Sequence, residues 1–164
     1  MSVKYFDWLD QHEGVRPSKI AIRDLDTQQT VTYSQLNDRS KKLAGYLQKS
    51  GVKKGDRVAI LIRNCPEFFE SQFACSKIGA ICLPINWRLT ANEIDYIVKD
   101  SSPVALIYDH VFAETANTVS TSNSIKINLE VEPQNQNSTY EMVLAESCAM
   151  TQVTSTHDDV TMIM

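Results

Sequence analysis

The chain contains 164 residues, of which 43% are hydrophobic and 22% charged, and its formal net charge is −4. These values are typical of a single globular domain that is long enough to bury a core. They argue against a nucleic-acid or anionic-membrane partner, and no apolar run approaches the roughly 20 residues that span a bilayer. Asp7, Asp10 and Glu13 interrupt any N-terminal apolar segment, so no signal peptide is indicated and we expect a cytoplasmic protein.

The first elements predicted are a short helix and a β-hairpin. Residues 3–12 carry apolar and acidic residues that suit a peripheral helix, and residues 14–18 suit a loop. Residues 19–25 and 29–33 are strand-like and are separated by the turn-like segment 26–28.

Thr32 and Gln35 match a capping box, which predicts the start of a helix that ends at Gly51. The apolar stripe of this helix is predicted to contain Leu36, Leu43, Ala44 and Leu47. A solvated face is predicted for Arg39, Lys41, Lys42 and Lys49.

The central part of the chain, from residue 51 to residue 86, predicts a strand, a helix and a second strand. Residues 57–62 form an apolar run without polar alternation, which is typical of a strand buried on both faces of a parallel sheet. We expect Asn64 to cap the following helix, Pro66 to lie in its first turn and Gly79 to end it. Residues 80–83 are the second strand, and the order predicts a right-handed βαβ unit. The apolar side of the helix is predicted to contain Phe69, Phe73, Ala74 and Ile78.

A second capping box, Thr90 with Glu93, predicts a further helix with a buried stripe formed by Ile94, Ile97 and Val98. The remaining predicted elements are a strand at 104–108, a helix at 110–117, a strand at 125–129, a surface loop at 132–139, a helix at 140–148, a connector at 151–156 and a turn into a strand at 158–164. These elements together predict an α/β fold, with a mostly parallel sheet flanked by helices and an N-terminal β-hairpin. Because the chain stops inside an apolar run, we expect it to be part of a longer protein.

No catalytic, cofactor-binding or metal-binding residue is assigned from the residues alone. Gly51 and Gly55 flank two lysines, but they follow a helix and precede a strand, the reverse of a Walker phosphate loop. Asn64 follows a strand on the edge where α/β sheets bind ligands, but a helix cap is its simpler role. Cys65 at a helix start has no nearby sequence partner that would activate it. Turn positions, rather than metal sites, are predicted for Asp24, Asp26, Asp158 and Asp159.

The cysteines and histidines show no metal-ligand spacing and no CxxC pair. We interpret the cysteines as small buried hydrophobic residues in a reducing compartment. The residues concerned are Cys65, Cys75, Cys82, Cys148, His12, His110 and His157.

Four segments in collinear order resemble the adenylate-forming, AMP-binding acyl-activating enzymes of the acyl-CoA ligase type. Residues 31–36 (VTYSQL) resemble the "TYxEL" segment, with Gln35 in place of the usual Glu, and residues 55–58 match "GDRV". Residues 77–86 (KIGAICLPIN) resemble "KxGAxxxPxN", and residues 88–93 match "RLTxxE". The resemblance extends over roughly residues 15–164.

The resemblance implies an ATP-dependent enzyme that joins a carboxylic acid to AMP, with release of pyrophosphate, and then forms a thioester with CoA. Mg²⁺ would offset the phosphate charge. The family's Gly/Ser/Thr-rich loop ending in Pro-Lys-Gly, its Tyr-Gly-x-Thr-Glu segment, its hinge Asp and its C-terminal Lys do not occur in the sequence. Residues 1–164 are therefore expected to be the N-terminal portion of the AMP-binding large domain, without the catalytic loop or the C-terminal domain.

A fatty or aryl acid is expected as the substrate of the whole enzyme. The 164-residue chain alone is expected to form no adenylate, to bind no cofactor and to be able to self-associate. One alternative is an adenylation domain that loads a carrier protein. Another is a non-catalytic α/β binding module, although the receiver-like version lacks acidic residues after the strand at 57–62.

Overall fold

The computed structural model describes residues 7–146, 149–151, 153, 156 and 158–164. Within them, a four-stranded parallel sheet lies between helices, and a two-stranded antiparallel hairpin precedes it. This arrangement confirms the predicted fold class. The elements are α1 Trp8–Val15, β1 Ile20–Arg23, β2 Thr30–Thr32, α2 Tyr33–Lys49, β3 Arg57–Leu61, α3 Pro66–Ile78, β4 Ile81–Pro84, α4 Ala91–Ser101, β5 Ala105–Asp109, a 3-10 turn His110–Phe112, α5 Ala113–Ser122, β6 Ile127–Val131 and α6 Thr139–Ala145.

The parallel sheet has the strand order β4-β3-β5-β6. In the centre, Ala59 of β3 is in register with Leu83 of β4 and Leu106 of β5. Successive β3 side chains point to opposite faces, so that Ile60 joins one hydrophobic cluster and Ala59 the other. Burial on both faces explains why this strand shows no polar alternation in the sequence.

Each face of the sheet is covered by helices with an apolar stripe. On one face, Leu43 and Leu47 of α2, Ile78 of α3 and Tyr140 of α6 pack in the same cluster as Ile60. The opposite face is covered by α4 and α5, through residues that include Ile94, Val98, Ala116 and Val119. The result is a three-layer α/β arrangement with core on both sides of the sheet.

The predicted helix signals are present at both capping boxes. The Thr32 Oγ1 accepts from the Gln35 backbone N–H at 3.2 Å, and the Gln35 side chain accepts from the Thr32 N–H at 2.9 Å. Thr90 and Glu93 make the same reciprocal pair at the start of α4. Gly79 ends α3 with φ 69°, a conformation that glycine adopts without a Cβ clash. Local sequence therefore sets these helix ends.

Several predictions at helix ends are corrected by the structure. α1 begins at Trp8, because the Asp7 carboxylate accepts from the Leu9 and Asp10 N–H groups. It continues past the predicted end at residue 12 to Val15. The predicted start at residues 3–6 lies outside the described residues. Cys65, not Asn64, is the N-cap residue of α3, and it makes no side-chain capping bond.

Further differences concern residues at the ends and edges of elements. Phe69 is 41% exposed, and Phe68 is the aromatic residue that packs on the main core. Pro84 is the last residue of β4 rather than a residue beyond it. The predicted helix 110–117 is a 3-10 turn followed by α5, and α6 ends at Ala145. Cys148 and part of the connector 151–156 lie outside the described residues.

Arg39 is not part of a solvated face, as predicted, but lies in a partly buried ion-pair network. Its Nε donates to the Glu70 Oε1 at 2.6 Å, and its two terminal nitrogens donate to the Glu141 carboxylate. Tyr140 donates from its hydroxyl to the other Glu70 oxygen at 2.9 Å. The network joins α2, α3 and α6, which are up to 102 residues apart in sequence.

At the other end of the described chain, residues 158–164 lie against the outer edge of β4. The Cys82 N–H donates to the Thr161 carbonyl at 2.9 Å, and the Ile163 N–H donates to the Cys82 carbonyl at 3.1 Å. The pairing is parallel but is limited to a single bridge between Cys82 and Met162. The predicted strand at 158–164 is thus present only as this bridge. No helix in the described part of the chain combines the length and the apolar character needed to cross a membrane.

Candidate functional site

The carboxyl edge of the parallel sheet is the candidate site. Parallel strands end at the same edge, and open α/β sheets bind ligands in the crevice outside these ends. The segments that follow β3, β4 and β5 therefore meet there. They carry the polar and aromatic residues Arg63, Asn64, Asn86, Trp87, Arg88, Asp109 and His110.

Arg63 and Asp109 join the ends of β3 and β5. The Arg63 Nε donates to the Asp109 Oδ2 at 2.6 Å, and the Asp109 side chain is only 3% exposed. The hydrogen bond and the charge of Asp109 raise the pKa of Arg63 above its ordinary value. Arg63 is 46% exposed, so the pair places a permanent cation at the rim of the edge.

Asp109 also organises the start of the next segment. Its Oδ1 accepts from the Val111 N–H at 3.2 Å, which caps the 3-10 turn. The His110 Nδ1 lies 3.0 Å from the same oxygen. The His110 Nδ1 nevertheless has no hydrogen-bond partner. A hydrogen bond requires a suitable angle at the donor and the acceptor as well as a short distance. The two side chains are therefore adjacent without forming an aligned acid–base dyad.

The segment after β4 holds a second guanidinium. The Arg88 guanidinium carbon lies 4.1 Å from the centroid of the Trp87 ring, a cation–π geometry. Trp87 in turn lies 6.5 Å from Phe112, centroid to centroid. The Asn86 Oδ1 accepts from the Arg88 N–H at 3.0 Å and shapes the turn. Arg88 is exposed, so its guanidinium donors face solvent.

A cavity of about 320 Å³ lies beside this edge, between the hairpin and the start of α3. Asn64 lines the cavity and is exposed, so it lies at the carboxyl edge of the sheet, and its predicted role as a helix cap is wrong. Burial and the neighbouring Glu67 carboxylate raise the pKa of the Cys65 thiol well above its ordinary value. Since the thiolate is the nucleophilic form, a raised pKa gives no support for a nucleophilic role of Cys65. The lining residues are Ile22, Arg23, Asp24, Leu25, Asp26, Asn64, Cys65, Pro66 and Phe69.

The glycines near Lys53 and Lys54 form a turn at the opposite, amino end of β3. Gly51 and Gly55 have φ of 99° and 84°, and the Gly55 N–H donates to the Gly79 carbonyl at 2.8 Å. The Asp56 carboxylate accepts from the Lys53 N–H at 2.8 Å. The N–H groups of Lys53 and Gly55 are therefore bonded within the protein, and the segment is a helix-to-strand turn, as predicted.

The predicted turn aspartates bond to nearby groups. The Asp24 Oδ1 accepts from the N–H groups of Asp26 and Thr27. The Asp159 Oδ2 accepts from the Thr156 N–H and from the Lys54 ammonium. Over the ranges that the structure describes, no three His, Cys, Asp or Glu side chains are grouped to hold a metal ion.

The described residues of the edge present two guanidinium groups but no group of side chains that forms a reaction centre. Guanidinium groups form charge-assisted hydrogen bonds with carboxylates and phosphates. A Mg²⁺ site needs free carboxylate oxygens, whereas the buried Asp109 carboxylate already accepts from Arg63 and Val111. The described residues at this edge therefore do not fit a Mg²⁺ site, and no catalytic step is assigned to them.

These side-chain pairs were not predicted from the sequence. Arg63 and Asp109 are 46 residues apart, so no local pattern links them. The available signal was positional: each residue ends or follows a buried strand, and neighbouring parallel strands bring such residues together. Trp87 and Arg88 are neighbours in sequence. Arg88 begins the "RLTxxE" motif segment, but no functional role was predicted for either residue.

The class of the protein follows from comparing its sequence with the sequence model of a known protein family. The family described as "AMP-binding enzyme" matches residues 9–164, nearly the whole chain. The chain belongs to this family, and the resemblance inferred from its four motif segments is confirmed.

Among individual relatives, the chain is similar to CoA ligases. It is 34% identical over 133 residues to 3-oxocholest-4-en-26-oate–CoA ligase of Rhodococcus rhodochrous, which covers 80% of this chain and 24% of the relative. It is 37% identical over 107 residues to long-chain-fatty-acid–CoA ligase FadD13 of Mycobacterium tuberculosis, which covers 65% of this chain and 21% of the relative. The chain thus spans less than a quarter of the length of these curated relatives.

The solved structures agree with the fold. The inhibitor-bound N-terminal domain of FACL13 from Mycobacterium tuberculosis superimposes with a TM-score of 0.87 at 28% identity, over 99% of this chain and 41% of that one. The anthranilate CoA ligase AuaEII, in complex with anthranoyl-AMP, superimposes with a TM-score of 0.84 over 97% of this chain and 32% of that one. At 23% identity, the second likeness shows the fold alone.

Proposed function

We propose that residues 1–164 form the N-terminal portion of the large domain of an AMP-forming acid–thiol ligase. The observation that carries this proposal is the family match over residues 9–164, together with the likeness to the N-terminal domain of FACL13. Three relatives that are 34–37% identical to this chain, and of which it covers less than a quarter, are named as CoA ligases or a CoA synthase. A longer parent protein accounts for both observations.

The proposed reaction of the whole enzyme has two steps. The substrate carboxylate attacks the α-phosphorus of ATP, which gives an acyl-adenylate and expels pyrophosphate. The sulfur of CoA then attacks the acyl carbon and expels AMP, which leaves a thioester. The proposed substrates are fatty or aryl carboxylic acids, because relatives are named for a steroid acid, ferulate, indoleacetate and long-chain fatty acids.

The described residues are proposed to act as a scaffold and a cationic rim rather than as the reaction centre. Arg63 and Arg88 hold guanidinium groups at the sheet edge, one through Asp109 and the other through Trp87. The Mg²⁺ and the groups that bind the ATP phosphates are assigned to the remainder of the parent enzyme. We therefore expect the chain alone to form no adenylate and to bind ATP weakly or not at all. Binding has to offset the loss of translational and rotational freedom, which costs several kcal/mol.

A second acceptor is supported by one relative. A fatty acid–[acyl-carrier-protein] ligase, ScoC of Streptomyces coeruleorubidus, is 36% identical to this chain over 102 residues. A carrier-protein thiol would replace CoA in the second step, without any change in the first.

We place the enzyme in the cytoplasm, where ATP and CoA are available, and we propose that the isolated chain can self-associate.

Pyrophosphate exchange tests the first step directly. The intact gene product is incubated with ATP, labelled pyrophosphate and a panel of fatty and aryl acids, beside the 164-residue chain. We expect acid-dependent exchange by the intact protein and none by the chain. CoA and a carrier protein are then compared as acceptors. Absence of exchange with every acid would contradict the proposed reaction, and exchange by the chain alone would show that its residues contain the reaction centre.

A further inference from the structure

The N-terminal helix α1 is attached to the domain mainly by charged contacts. Leu9, which is 2% exposed, is the one buried residue of α1, whereas Trp8 is 62% and Val15 70% exposed. Leu9 packs in a small cluster with Val31 and Leu36, apart from the two clusters on the sheet. The His12 ring adds a contact with Tyr33 at 4.8 Å, centroid to centroid. With one buried apolar side chain and one ring contact, the apolar contribution to docking is small for a helix of this length.

Three acidic side chains of α1 meet cations and an amide of α2 and α3. The Lys77 ammonium donates to Asp7 at 2.7 Å and to Asp10 at 3.2 Å. The Lys41 ammonium lies 3.0 Å from the Asp10 carboxylate and 3.2 Å from the Glu13 carboxylate. The same two α1 carboxylates of Asp10 and Glu13 accept from the Asn37 amide.

The docked state also contains features that weaken it. The Asn37 side chain is completely buried where its amide meets α1, yet its Oδ1 has no hydrogen-bond partner, and an unpaired buried acceptor costs free energy. The Lys77 side chain is 1% exposed, so its charge has lost its hydration. The Lys41 pairs are partly exposed, with 40% of the Lys41 side chain and 37% of the Asp10 side chain accessible, and dissolved salt screens such pairs.

From this balance we infer that α1 is an electrostatic strap, which leaves the domain as a unit while the parallel sheet remains folded. Once released, a helix of eight residues is too short to persist in water, so it unwinds. Its departure uncovers Val31 and Leu36 and frees the ammonium groups of Lys41 and Lys77. The uncovered groove is then lined by the apolar side chains of Val31 and Leu36 and by the ammonium groups of Lys41 and Lys77. In the docked state, the acidic helix α1 occupies this groove. Local opening of this kind has a lower free energy than global unfolding.

Amide hydrogen exchange of the 164-residue chain, measured at 0.05 M and 1 M NaCl, tests the strap. We expect the α1 amides to exchange faster than those of β3 and β5 at both salt concentrations. We also expect the α1 protection to fall about tenfold at high salt, because the exposed Lys41 pairs are screened, while the sheet amides change little.

Two neighbouring lysines provide a matched pair of variants. Lys41→Met removes the more exposed of the two cations that face α1, leaving the buried Lys77 in place. It is expected to lower α1 protection at low salt and to abolish its salt dependence. Lys42→Met is the control, since Lys42 pairs with Asp38 within α2 at 2.8 Å. Three results would contradict the proposal. They are an α1 protection equal to that of the sheet, an α1 protection that does not change with salt, and equal effects of the two variants.

Discussion

The Arg39 guanidinium donates from its Nε to the Glu70 carboxylate at 2.6 Å, in a place where the Glu70 side chain is only 1% exposed. Burial by itself lowers the pKa of Arg39, but hydrogen bonds with the carboxylates of Glu141 and Glu70 raise it well above its ordinary value. The charge is therefore permanent, and α2, α3 and α6 meet around an ion pair beside the hydrophobic core.

Breaking this ion pair is expected to destabilise the chain. Glu70→Ala leaves Arg39 with one carboxylate partner fewer and leaves the Tyr140 hydroxyl without its acceptor. We expect the free energy of unfolding, measured by urea titration, to fall by about 3 kcal/mol. Tyr140→Phe, which removes one hydrogen bond and keeps the ion pair, is expected to cost about 1 kcal/mol. A loss from Glu70→Ala no larger than that from Tyr140→Phe would contradict a stabilising role for the pair.

The Asp10 carboxyl is expected to titrate far below the ordinary range. Burial raises its pKa, but hydrogen bonds from Asn37 and Lys41 and the charge of Lys77 outweigh burial and lower the pKa from 3.8 to about 2. Because the folded pKa is depressed, the stabilising contribution is fully present above about pH 4 and is lost as pH falls towards 2. Since the Asp10 side chain is 37% exposed, we discount this contribution to about 1 kcal/mol.

Carbon-13 NMR titration of the Asp10 carboxyl measures this pKa. Lys41→Met is expected to move it upward, towards 3.8, and the matched Lys42→Met variant to leave it in place. An Asp10 pKa near 3.8 in the unmodified chain would show that the contacts with α2 and α3 are not formed in solution.

Two glycines are expected to respond to alanine in opposite directions. Gly79 has φ 69°, and an added Cβ would lie 2.9 Å from the Lys54 Cγ, so Gly79→Ala is expected to cost about 1–2 kcal/mol in urea unfolding. Gly14 lies within α1 with no atom within 4 Å of an added Cβ. Gly14→Ala is expected to stabilise α1 by about 0.5–1 kcal/mol through helix propensity, measured as slower amide exchange. A neutral Gly79→Ala would show that the end of α3 rearranges.

The Cys65 thiol is expected to react slowly. Burial and the Glu67 carboxylate raise its pKa, which leaves little thiolate near neutral pH. We expect alkylation by iodoacetamide at pH 8, followed by peptide mass spectrometry, to be roughly tenfold or more slower than that of an unfolded control. Glu67→Gln removes the neighbouring charge and is expected to accelerate the reaction. Labelling of native Cys65 at the unfolded rate would contradict the buried environment, whereas Cys75 and Cys82, both fully buried, are expected to react only on unfolding.

Local patterns were sufficient to predict the order and type of most elements. The capping boxes at Thr32 and Thr90 and the αL glycine at position 79 involve residues within a few positions of each other, so their physics is contained in short segments. The apolar run of β3 predicted burial on both faces, because a strand without alternating polar residues has no polar face that could be exposed to solvent. The four motif segments were also enough to place the chain in its family.

The side-chain pairs that join distant elements could not be predicted in this way. The sequence pattern placed Arg39 on a solvated face, because helical periodicity does not show that Glu141, 102 residues away, is carried by a helix that packs beside α2. Arg63 meets Asp109 only because β3 and β5 are neighbours in the sheet. The buried Lys77 meets Asp7 and Asp10 only because α1 and its N-cap lie beside α3. Periodicity and caps are properties of short segments, whereas the partner of a buried charge depends on which elements pack together, and packing is settled when the whole chain folds.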